Sequence, residues 1–530
     1  MGVYLNPGSG RFKEIVNKGY VDKTTLISII NRTINTTNNM HCVCMPCGFG
    51  KTYAAQMLCA YYDKTCDSHD LFNGYVISED PDYEKYIGKY DVIYLDMTNI
   101  LGNVEPENLI SFIVDNVTEE ILEAYPELTK GNTFDQTLIK CVSCTGNQFI
   151  MIIDEWDAPI RETPQIEKEY LKFLRMLFKS SSTTSKIFAA AYITGILPIK
   201  KDGNQSAVSD FKEYSVLLPG DFAEYVGFTE DEVKRLCEKK QRNFAQMKRW
   251  YDGYTVGKIH SVYNPFSVMN AIDSGEFRSY WKKTSAAEAL MTYIDMDQEG
   301  LQNDIARLLT GESIEISTDS FQNDVETFTC KDDVLTLLVH LGYLTYEEVS
   351  DSYDTDDYYA GLVSIPNEEV RSEFEMILRK ARHKDLINLV RKSDQLLKDT
   401  LDDRSDAVAA AISEVHESEY APTFYNNEQS LRYVVKMAYI SCVDQYVKVE
   451  ELPTGHGIAD VVFLPKRRSV LPAMIVELKW NREAEGALKQ IKEKNYPEIL
   501  KNYGGEIVLV GLTYDEKTKE HDCVIERYQK

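Results

Sequence analysis

The sequence contains no long hydrophobic run and has far fewer basic than acidic residues. In 530 residues, no uninterrupted apolar stretch reaches the length of about 18 residues that a membrane-spanning helix needs. The first residues also lack the basic-then-apolar pattern of a secretory signal. These absences predict a protein that has no membrane segment and stays in the cytoplasm.

The charge balance is strongly acidic, with 84 Asp and Glu against 58 Lys and Arg and a net charge of −26. Such a chain is not expected to coat nucleic acid non-specifically, although a local basic groove is compatible with it. The 11 cysteines are scattered, and the pair Cys141 and Cys144 has no second Cys or His pair nearby at zinc spacing. We therefore expect reduced cysteines in core or turn positions.

The segment 47–52 reads Cys-Gly-Phe-Gly-Lys-Thr and lies between the apolar run 41–45 and a helix-forming run. A glycine-rich turn that ends in Lys-Thr at this place is typical of the phosphate-binding loop (P-loop) of nucleotide hydrolases. Lys51 would reach the β- and γ-phosphates, and the Thr52 hydroxyl would ligate Mg²⁺. The motif is incomplete because Met45 stands where the full pattern has glycine. The predicted cofactor-binding residues are Gly48, Gly50, Lys51 and Thr52.

A second motif, downstream, consists of the apolar run 149–153 followed by Asp154 and Glu155. A short, Ile-rich run is typical of a strand buried on both faces of a parallel sheet, and such sheets bind ligands at their carboxyl edge. Asp154 would hold Mg²⁺, and Glu155 would act catalytically by polarising the attacking water. A strand running into an acidic turn is the alternative. The order of the two motifs favours an ATP site.

Two further runs, 90–96 and 186–195, also predict parallel strands. Residues 1–270 thus alternate strand-like and helical stretches, which is the pattern of an α/β fold. The second run ends near Thr194. In ATPases of the AAA type a polar residue there touches the γ-phosphate or the attacking water, so Thr194 is a predicted cofactor-binding residue. A plain Thr-Gly turn that ends the strand is equally compatible with the sequence.

Several short motifs follow one another in the N-terminal half of the chain. They are 20–24 (Tyr-Val-Asp-Lys-Thr), 48–52 (Gly-Phe-Gly-Lys-Thr), 153–157 (Ile-Asp-Glu-Trp-Asp), 193–195 (Ile-Thr-Gly), 227–233 (Gly-Phe-Thr-Glu-Asp-Glu-Val), 251–254 (Tyr-Asp-Gly-Tyr) and 263–267 (Tyr-Asn-Pro-Phe-Ser). In this set the chain resembles the prokaryotic AAA-ATPase-like family whose members carry a C-terminal PD-(D/E)xK nuclease domain. It departs from the family around the P-loop, where members usually show Arg-Arg-Phe-Gly-Lys-Ser.

The middle of the chain predicts a helix, a glycine stop and a strand over 332–345, and a second strand over 361–367. A helix followed by a two-stranded wing resembles a winged helix. Because the loop 350–357 is acidic, we expect this module to join domains rather than to bind DNA. The resulting division is an AAA-ATPase-like P-loop domain over 1–270, a helical linker domain over 271–405 and a nuclease-like domain of the restriction-endonuclease α/β type over 406–530.

The C-terminal part places two acids and a lysine on neighbouring predicted strands, Asp460 in one and Glu477 with Lys479 in the next. The period of two along a strand puts Glu477 and Lys479 on one face. Two carboxylates suit Mg²⁺ or Mn²⁺, which would activate water while Lys479 orients it or neutralises charge. We expect these catalytic residues in a solvent-open cleft, with Asp460 and Glu477 as metal ligands.

Residues outside the two strands match the rest of this nuclease pattern. Glu428, at the start of a predicted helix, matches the helical acid that often completes the metal site, and Gln490 with Tyr496 matches the downstream helix. His456 can contact a phosphate or simply face solvent. Exposed Glu-x-Lys strands are common, so the motif alone is weak. The complete order of helix, strand, turn, Asp strand, Glu-x-Lys strand and helix favours a nuclease.

Together the motifs predict an ATPase joined to a metal-dependent nuclease that acts on nucleic acid, DNA more readily than RNA. Such pairings resemble systems that attack phage or mobile DNA. Arg161 is the only arginine close behind the acidic pair, and such ATPases usually receive an arginine from a neighbouring copy, so we expect a homo-oligomer. Two alternatives stay open: a nucleotide-binding scaffold with an inactive P-loop, and a binding module with neither activity.

Overall fold

The computed structural model describes residues 2–179, 181–199, 201–202, 205–206, 210–281, 301–309, 311–322, 328, 330–348, 360–380, 384–417, 428–439, 442, 446–453, 458–465, 471–482, 484–493 and 505–528. The chain divides into two compact units. The first comprises Met1–Glu299 and Glu315–Glu373, and the second comprises Gly300–Ile314 and Phe374–Lys530. None of the helices within the described ranges is both long and apolar enough to cross a membrane.

The first unit is built on a parallel sheet. Its strands are β1 (Met40–Cys44), β2 (Asp91–Asp96), β3 (Phe149–Asp154), β4 (Phe188–Gly195) and β7 (Lys212–Ser215), in the order β2-β3-β4-β1-β7. Two short hairpins pair β5 (Lys201–Asp202) with β6 (Gln205–Ser206) and β8 (Tyr254–Val256) with β9 (Ile259–Val262). The α/β fold with a parallel P-loop sheet is therefore confirmed, and the carboxyl ends of β1, β3 and β4 meet at one edge.

Helices cover the sheet because their apolar residues recur at helical spacing. In Leu109–Ala124, the residues Ile113, Val117 and Ile121 recur four apart and are buried in the same core as Ile93 and Met151 of the strands. The helices of this unit are Gly10–Gly19, Leu26–Thr33, Lys51–Tyr62, His69–Phe72, Tyr83–Tyr86, Met97–Leu101, Leu109–Ala124, Phe134–Thr145, Ala158–Glu162, Glu167–Phe178, Ser181–Ile187, Glu230–Lys240, Phe244–Tyr251, Pro265–Ser274 and Lys331–Leu341. Single turns of 3₁₀ helix lie at Val76–Glu79, Pro106–Asn108, Pro164–Ile166 and Gly220–Tyr225.

The predicted helix, glycine stop and two strands of the middle segment are all present. The helix Lys331–Leu341 ends at Gly342, which has a φ of +85°. Antiparallel β11 (Thr345–Glu348) and β12 (Ala360–Ser364) follow, and β10 (Ile314–Ser317) completes a sheet in the order β10-β12-β11. The acidic loop 350–357 lies outside the described residues.

The sequence analysis predicted a separate linker domain over 271–405. In the structure, residues 315–373 belong instead to the same unit as the P-loop sheet. The helix is buried along nearly its whole length. The Tyr254 hydroxyl donates a 2.9 Å hydrogen bond to the Gly342 carbonyl, and the Thr255 amide donates a 2.8 Å bond to the Thr345 hydroxyl. These contacts fix the middle helix and hairpin onto the first unit.

The second unit contains a mixed sheet of β13 (Tyr446–Pro453), β14 (Ile458–Pro465), β15 (Ala473–Trp480), β16 (Ile507–Asp515) and β17 (Glu520–Tyr528), in chain order. Only β15 and β16 pair in parallel among the described strands of this sheet. The helices whose ranges lie in or extend into this unit are Leu301–Leu309, Glu368–Lys380, Lys384–Leu401, Ser405–His416, Glu428–Ala438 and Ala484–Glu493.

Both faces of this sheet are covered, because residues along β15 alternate between two cores. Met474 and Val476 belong to one core, together with Val434 from the helix Glu428–Ala438. Ile475 belongs to the other, together with Ile491 from the helix Ala484–Glu493. The alternation confirms the period of two that the sequence analysis assumed for the Glu-x-Lys strand.

Most of the cysteines are buried, as the sequence predicted for core positions. Cys141 is buried and Cys144 is exposed, and the cysteines in the described part of the chain are not paired.

Candidate functional site

The P-loop connects β1 to the helix Lys51–Tyr62 and takes the shape that its glycines allow. Gly48 and Gly50 have φ values of +83° and +94°, in the left-handed region that glycine adopts without strain. Gly50 is the N-cap residue of this helix. The unpaired N–H groups of the first helical turn therefore face the end of the loop, as anion binding at a helix N-terminus requires.

Lys51 is buried between the loop and the acidic motif. Its Nζ donates to the carbonyls of Met45 at 3.0 Å and Pro46 at 3.2 Å, and lies 3.3 Å from Oε1 of Glu155. Burial alone would lower the pKa of Lys51, but Glu155 and neighbouring acids outweigh it and raise that pKa above its ordinary value. Lys51 is thus a cation at the predicted phosphate position.

Asp154 ends β3 and is almost fully buried. The Thr194 hydroxyl donates a 2.5 Å hydrogen bond to its Oδ1, and the Tyr94 hydroxyl lies 3.5 Å from its Oδ2. Burial raises the pKa of Asp154 to about 6, while hydrogen bonds from Thr194 and Thr52 act in the opposite direction. The tertiary structure therefore brings Thr52 and Asp154 together, and their oxygens fit a magnesium–ATP complex.

The backbone of Glu155 has a φ of +53°, a conformation that residues other than glycine rarely adopt. Thr194 stabilises it: the Thr194 hydroxyl accepts from the Glu155 amide at 3.2 Å, and the Thr194 carbonyl accepts from the Trp156 amide at 2.7 Å. The Glu155 carboxylate contacts Lys51 and Arg161. Thr194 therefore holds both acids in place, and its contact with nucleotide or water stays a prediction.

Arg161 is bound to acids of its own chain. Its Nε donates to Oδ2 of Asp157 at 2.8 Å, and its Nη2 donates to Oε2 of Glu155 at 3.3 Å. Asp157 also accepts from the amides of Ile196 and Leu197. Asp157 is part of the Ile-Asp-Glu-Trp-Asp motif, but the sequence analysis predicted no function for it. Here it connects Arg161 to the loop after β4.

A second segment holds the P-loop from outside. The Asn264 side-chain amide donates to the Cys47 carbonyl at 3.1 Å, and the Phe266 amide donates to the Gly48 carbonyl at 3.2 Å. The Tyr-Asn-Pro-Phe-Ser motif at 263–267 marked this segment in the sequence without indicating what it does. Its hydrogen bonds fix the two loop carbonyls that precede Phe49.

In the second unit, Asp460 and Glu477 come from adjacent antiparallel strands. Val461 pairs with Val476, so the next step along the register sets Asp460 beside Glu477. Oδ2 of Asp460 accepts from the Leu478 amide at 2.9 Å, and Oδ1 accepts from Nη2 of Arg432 at 2.7 Å. Both oxygens of this carboxylate therefore have a protein donor.

Glu477 and Lys479 form a pair on the same face of β15. Lys479 Nζ donates to Oε1 of Glu477 at 2.9 Å and to the Leu478 carbonyl at 3.0 Å. Gln490 of the downstream helix also donates to Oε1 of Glu477. The expected solvent-open cleft is wrong for these side chains: Asp460, Glu477 and Lys479 are only 6%, 1% and 6% exposed, since each is packed against its hydrogen-bond partners.

The two carboxylates fit a hard divalent cation. The described residues contain no group of three or more His, Cys, Asp or Glu side chains arranged to hold a metal. Mg²⁺, however, usually takes one or two carboxylates and keeps several waters, so a pair of carboxylates such as Asp460 and Glu477 is compatible with it. The helix begins at Glu428 as predicted, but the Glu428 side chain lies outside the described part of the structure, as do Tyr496 and His456.

Arg432 is the residue of this site that the sequence analysis missed. It lies one helical turn after Glu428 on the amphipathic helix Glu428–Ala438 and so shares its face. The spacing of four residues from Glu428 was the signal by which the sequence could have indicated Arg432.

An N-terminal and a C-terminal segment of the chain each match a family model. Residues 8–204 match the AAA-ATPase-like family, described as a predicted AAA-ATPase. Residues 426–522 match the PD-(D/E)XK nuclease superfamily. A curated relative, described as an uncharacterized protein in the vnfD 5′ region of Azotobacter chroococcum mcd 1, is 22% identical over 398 residues, which is 73% of either chain. The resemblance stated from the sequence motifs is confirmed.

Solved structures are similar only at a low level. The Walker-type ATPase PABY2304 of Pyrococcus abyssi is 11% identical, with 67% of this chain and 96% of that chain covered and a TM-score of 0.32. The ORC2 protein of Aeropyrum pernix, in ADPNP–ADP complexes, is 11% identical, with 70% and 97% covered and a TM-score of 0.29. TM-scores this low do not establish a shared fold across the compared length.

Proposed function

The chain joins an AAA-ATPase-like domain, residues 8–204, to a PD-(D/E)XK nuclease superfamily domain, residues 426–522, and from this premise we propose that it binds and hydrolyses ATP and cleaves nucleic acid phosphodiesters with a divalent metal ion. The observation that carries the proposal is the convergence of Asp460, Glu477 and Lys479 from two neighbouring strands. Asp460 accepts from the Leu478 amide, and Lys479 donates to Glu477. The substrate is DNA more readily than RNA.

In the nuclease site, each residue has a separate task. Asp460 and Glu477 hold Mg²⁺ or Mn²⁺, with Glu428 as the expected third acid. When bound, the metal supplies an activated water and offsets charge on the phosphate. Lys479, 2.9 Å from Glu477, orients that water or neutralises the developing negative charge. Gln490 fixes the rotamer of Glu477 by its hydrogen bond to Oε1.

In the ATPase site, the loop amides and Lys51 bind the phosphates, and Thr52 with Asp154 holds Mg²⁺. Glu155 polarises the attacking water. Its carboxylate lies between Lys51 and Arg161, both at 3.3 Å, and these two contacts fix its direction. Support for this assignment comes from the buried network in which Thr194 bonds Asp154 and the Glu155 amide.

The expected setting is defence against phage or mobile DNA, since such pairings of ATPase and nuclease resemble systems that attack invading DNA. We also propose a homo-oligomer, because Arg161 already binds Asp157 and Glu155 of its own chain and a neighbouring copy would supply the arginine that completes the ATP site. Light scattering that finds a strict monomer with full ATPase activity contradicts this.

One observation favours a second candidate, a nucleotide-binding scaffold whose P-loop does not hydrolyse ATP. The loop lacks glycine at position 45, and Lys51 is held by the carbonyls of Met45 and Pro46. An ATP phosphate must replace those carbonyls as the partner of Lys51. In this candidate the nuclease acts alone; in a third, neither site is active.

One experiment on the purified full chain separates the candidates. Phosphate release from ATP is measured first, and cleavage of plasmid DNA with Mg²⁺ is then measured with and without ATP. Both activities support the proposal. Cleavage without phosphate release supports the scaffold. The absence of both supports a binding module, and variants of Lys51 and Glu477 serve as matched negative controls for the two sites.

A further inference from the structure

Arg432 connects the helix Glu428–Ala438 to the nuclease carboxylates. Its Nη2 lies 2.7 Å from Oδ1 of Asp460, and both side chains are largely buried. A charge-assisted hydrogen bond in such a largely buried position is stronger than an ion pair on the surface. Arg432 therefore occupies one oxygen of a carboxylate that the proposed function assigns to the metal ion.

The charges of the described side chains in this cluster cancel. Asp460 is paired with Arg432 at 2.7 Å, and Glu477 is paired with Lys479 at 2.9 Å. Two acids without bases would attract a divalent cation strongly. Here each acid is already paired with a basic side chain, so a metal ion that binds without another ligand must compete with two positive charges. Its binding leaves the cluster with a net charge of about +2.

We propose that Arg432 makes cation binding at Asp460 depend on the presence of a nucleic acid phosphodiester. The inference rests on the proposed nuclease function and names its regulation. The phosphodiester brings the negative charge that the metal-loaded cluster lacks, and Arg432 can turn from Asp460 to a phosphate oxygen, for which its guanidinium is well suited. The cation and the nucleic acid then raise each other's affinity, as thermodynamic linkage requires. The site is therefore loaded with metal mainly when substrate is bound.

The first test measures this coupling in the full-length wild-type protein. Calorimetric titration with Ca²⁺, a hard oxygen-binding cation, is compared in the absence and in the presence of a short DNA duplex. We expect the duplex to tighten Ca²⁺ binding by about tenfold or more, the scale of one added charge a few ångströms away. Equal Ca²⁺ affinity with and without the duplex overturns the proposal.

Variants of Arg432 test its role. Arg432→Gln removes the charge, so we expect Ca²⁺ to bind the DNA-free protein about tenfold more tightly and the coupling to fall. Arg432→Lys keeps the charge and is expected to retain the coupling. Arg527→Gln is the matched control, because Arg527 is also ion-paired in this unit, to Asp403 and Glu506, and it should change neither quantity.

The outcomes separate this inference from the nuclease proposal. If Arg432→Gln lowers the melting temperature but leaves Ca²⁺ affinity unchanged, Arg432 only ties the helix to the sheet and the inference is wrong. If wild type binds no Ca²⁺ even with the duplex, the nuclease proposal itself fails. If Arg432→Gln does not fold, equal Ca²⁺ affinity of the wild-type protein with and without the duplex still overturns the inference, and Arg432→Lys tests the role of the side chain.

Discussion

Asn264 lies directly against Gly48 of the P-loop, although the two are far apart in the chain. A Cβ atom at position 48 would stand 2.7 Å from Oδ1 of Asn264. Gly48 is therefore required twice, for its φ of +83° and for the space that the Asn264 side chain occupies. Asn264 also caps the helix Pro265–Ser274 by accepting from the Phe266 amide at 2.9 Å. The shape of the loop thus depends on a capping residue rather than on a glycine at position 45.

Asn264→Ala should weaken ATP binding by loosening the P-loop and should destabilise the protein by about 1 kcal/mol through the lost helix cap. Binding of a fluorescent ATP analogue and thermal melts measure the two effects. Asn243→Ala is the matched control, since Asn243 caps the helix Phe244–Tyr251 in the same way. If both variants bind ATP as tightly as wild type, Asn264 has no role in the loop.

Lys51→Ala should abolish ATP binding, because the lysine cation neutralises the phosphates and is the partner of Glu155. Glu155→Gln should keep binding but stop hydrolysis, because the carboxylate is needed only to orient water. Analogue binding and phosphate release report the two steps separately. If the wild-type protein does not bind ATP at millimolar Mg²⁺, the replacement of the P-loop glycine by Met45 has inactivated the loop. That result would favour the scaffold candidate.

The stability of the first unit should fall as pH rises through the titration of Glu369. Burial raises the pKa of Glu369 from 4.5 to about 7, against hydrogen bonds from the Tyr280 amide and the Ser267 hydroxyl. Because the folded-state pKa is above the unfolded one, the contribution to stability is full below about pH 4.5 and is lost as pH rises through 7. The loss amounts to about 3 kcal/mol at most.

Glu369→Gln keeps the shape of the side chain but cannot ionise. Its melting temperature should therefore exceed that of wild type at pH 8 and lose the advantage at pH 5. Glu368→Gln, the neighbouring and more exposed position that pairs with Arg249, is the control and should follow wild type. Parallel curves for all three proteins would contradict the prediction.

In the nuclease site, Glu477→Gln, Asp460→Asn and Lys479→Ala should each reduce plasmid cleavage by about 10²–10³-fold. Excess Mn²⁺ should partly restore the two acid variants, which lose a metal ligand, but not the lysine variant, which loses charge stabilisation. The acids are replaced by their amides because both are buried, and an amide keeps the shape of the side chain and leaves no cavity.

Lys492→Ala is the control for Lys479, since Lys492 pairs with Glu526 at a half-exposed position of the same unit and should leave cleavage unchanged. Circular dichroism confirms that each variant is folded. Undiminished cleavage by Glu477→Gln would end the assignment of this site.

Much of the candidate site could be predicted because the relevant signals are local. The strand that ends at Asp154 was visible as an Ile-rich run closed by acids, and parallel strands deliver their carboxyl ends to one edge of the sheet whatever surrounds them. Glu477 and Lys479 were placed on one face by the period of two along a strand. Neither inference needed knowledge of contacts between distant segments.

The sequence by itself determined which residues carry the chemistry, from the P-loop at 48–52 to the Glu-x-Lys strand, because spacing and residue type are properties of short segments. Tertiary structure alone decided what those residues touch. It brought Asn264 to Gly48 and Arg432 to Asp460, and it buried Glu477 with Lys479. The physical reason is that periodicity shows which face a side chain occupies, whereas its partners and its burial depend on the segments that fold against that face.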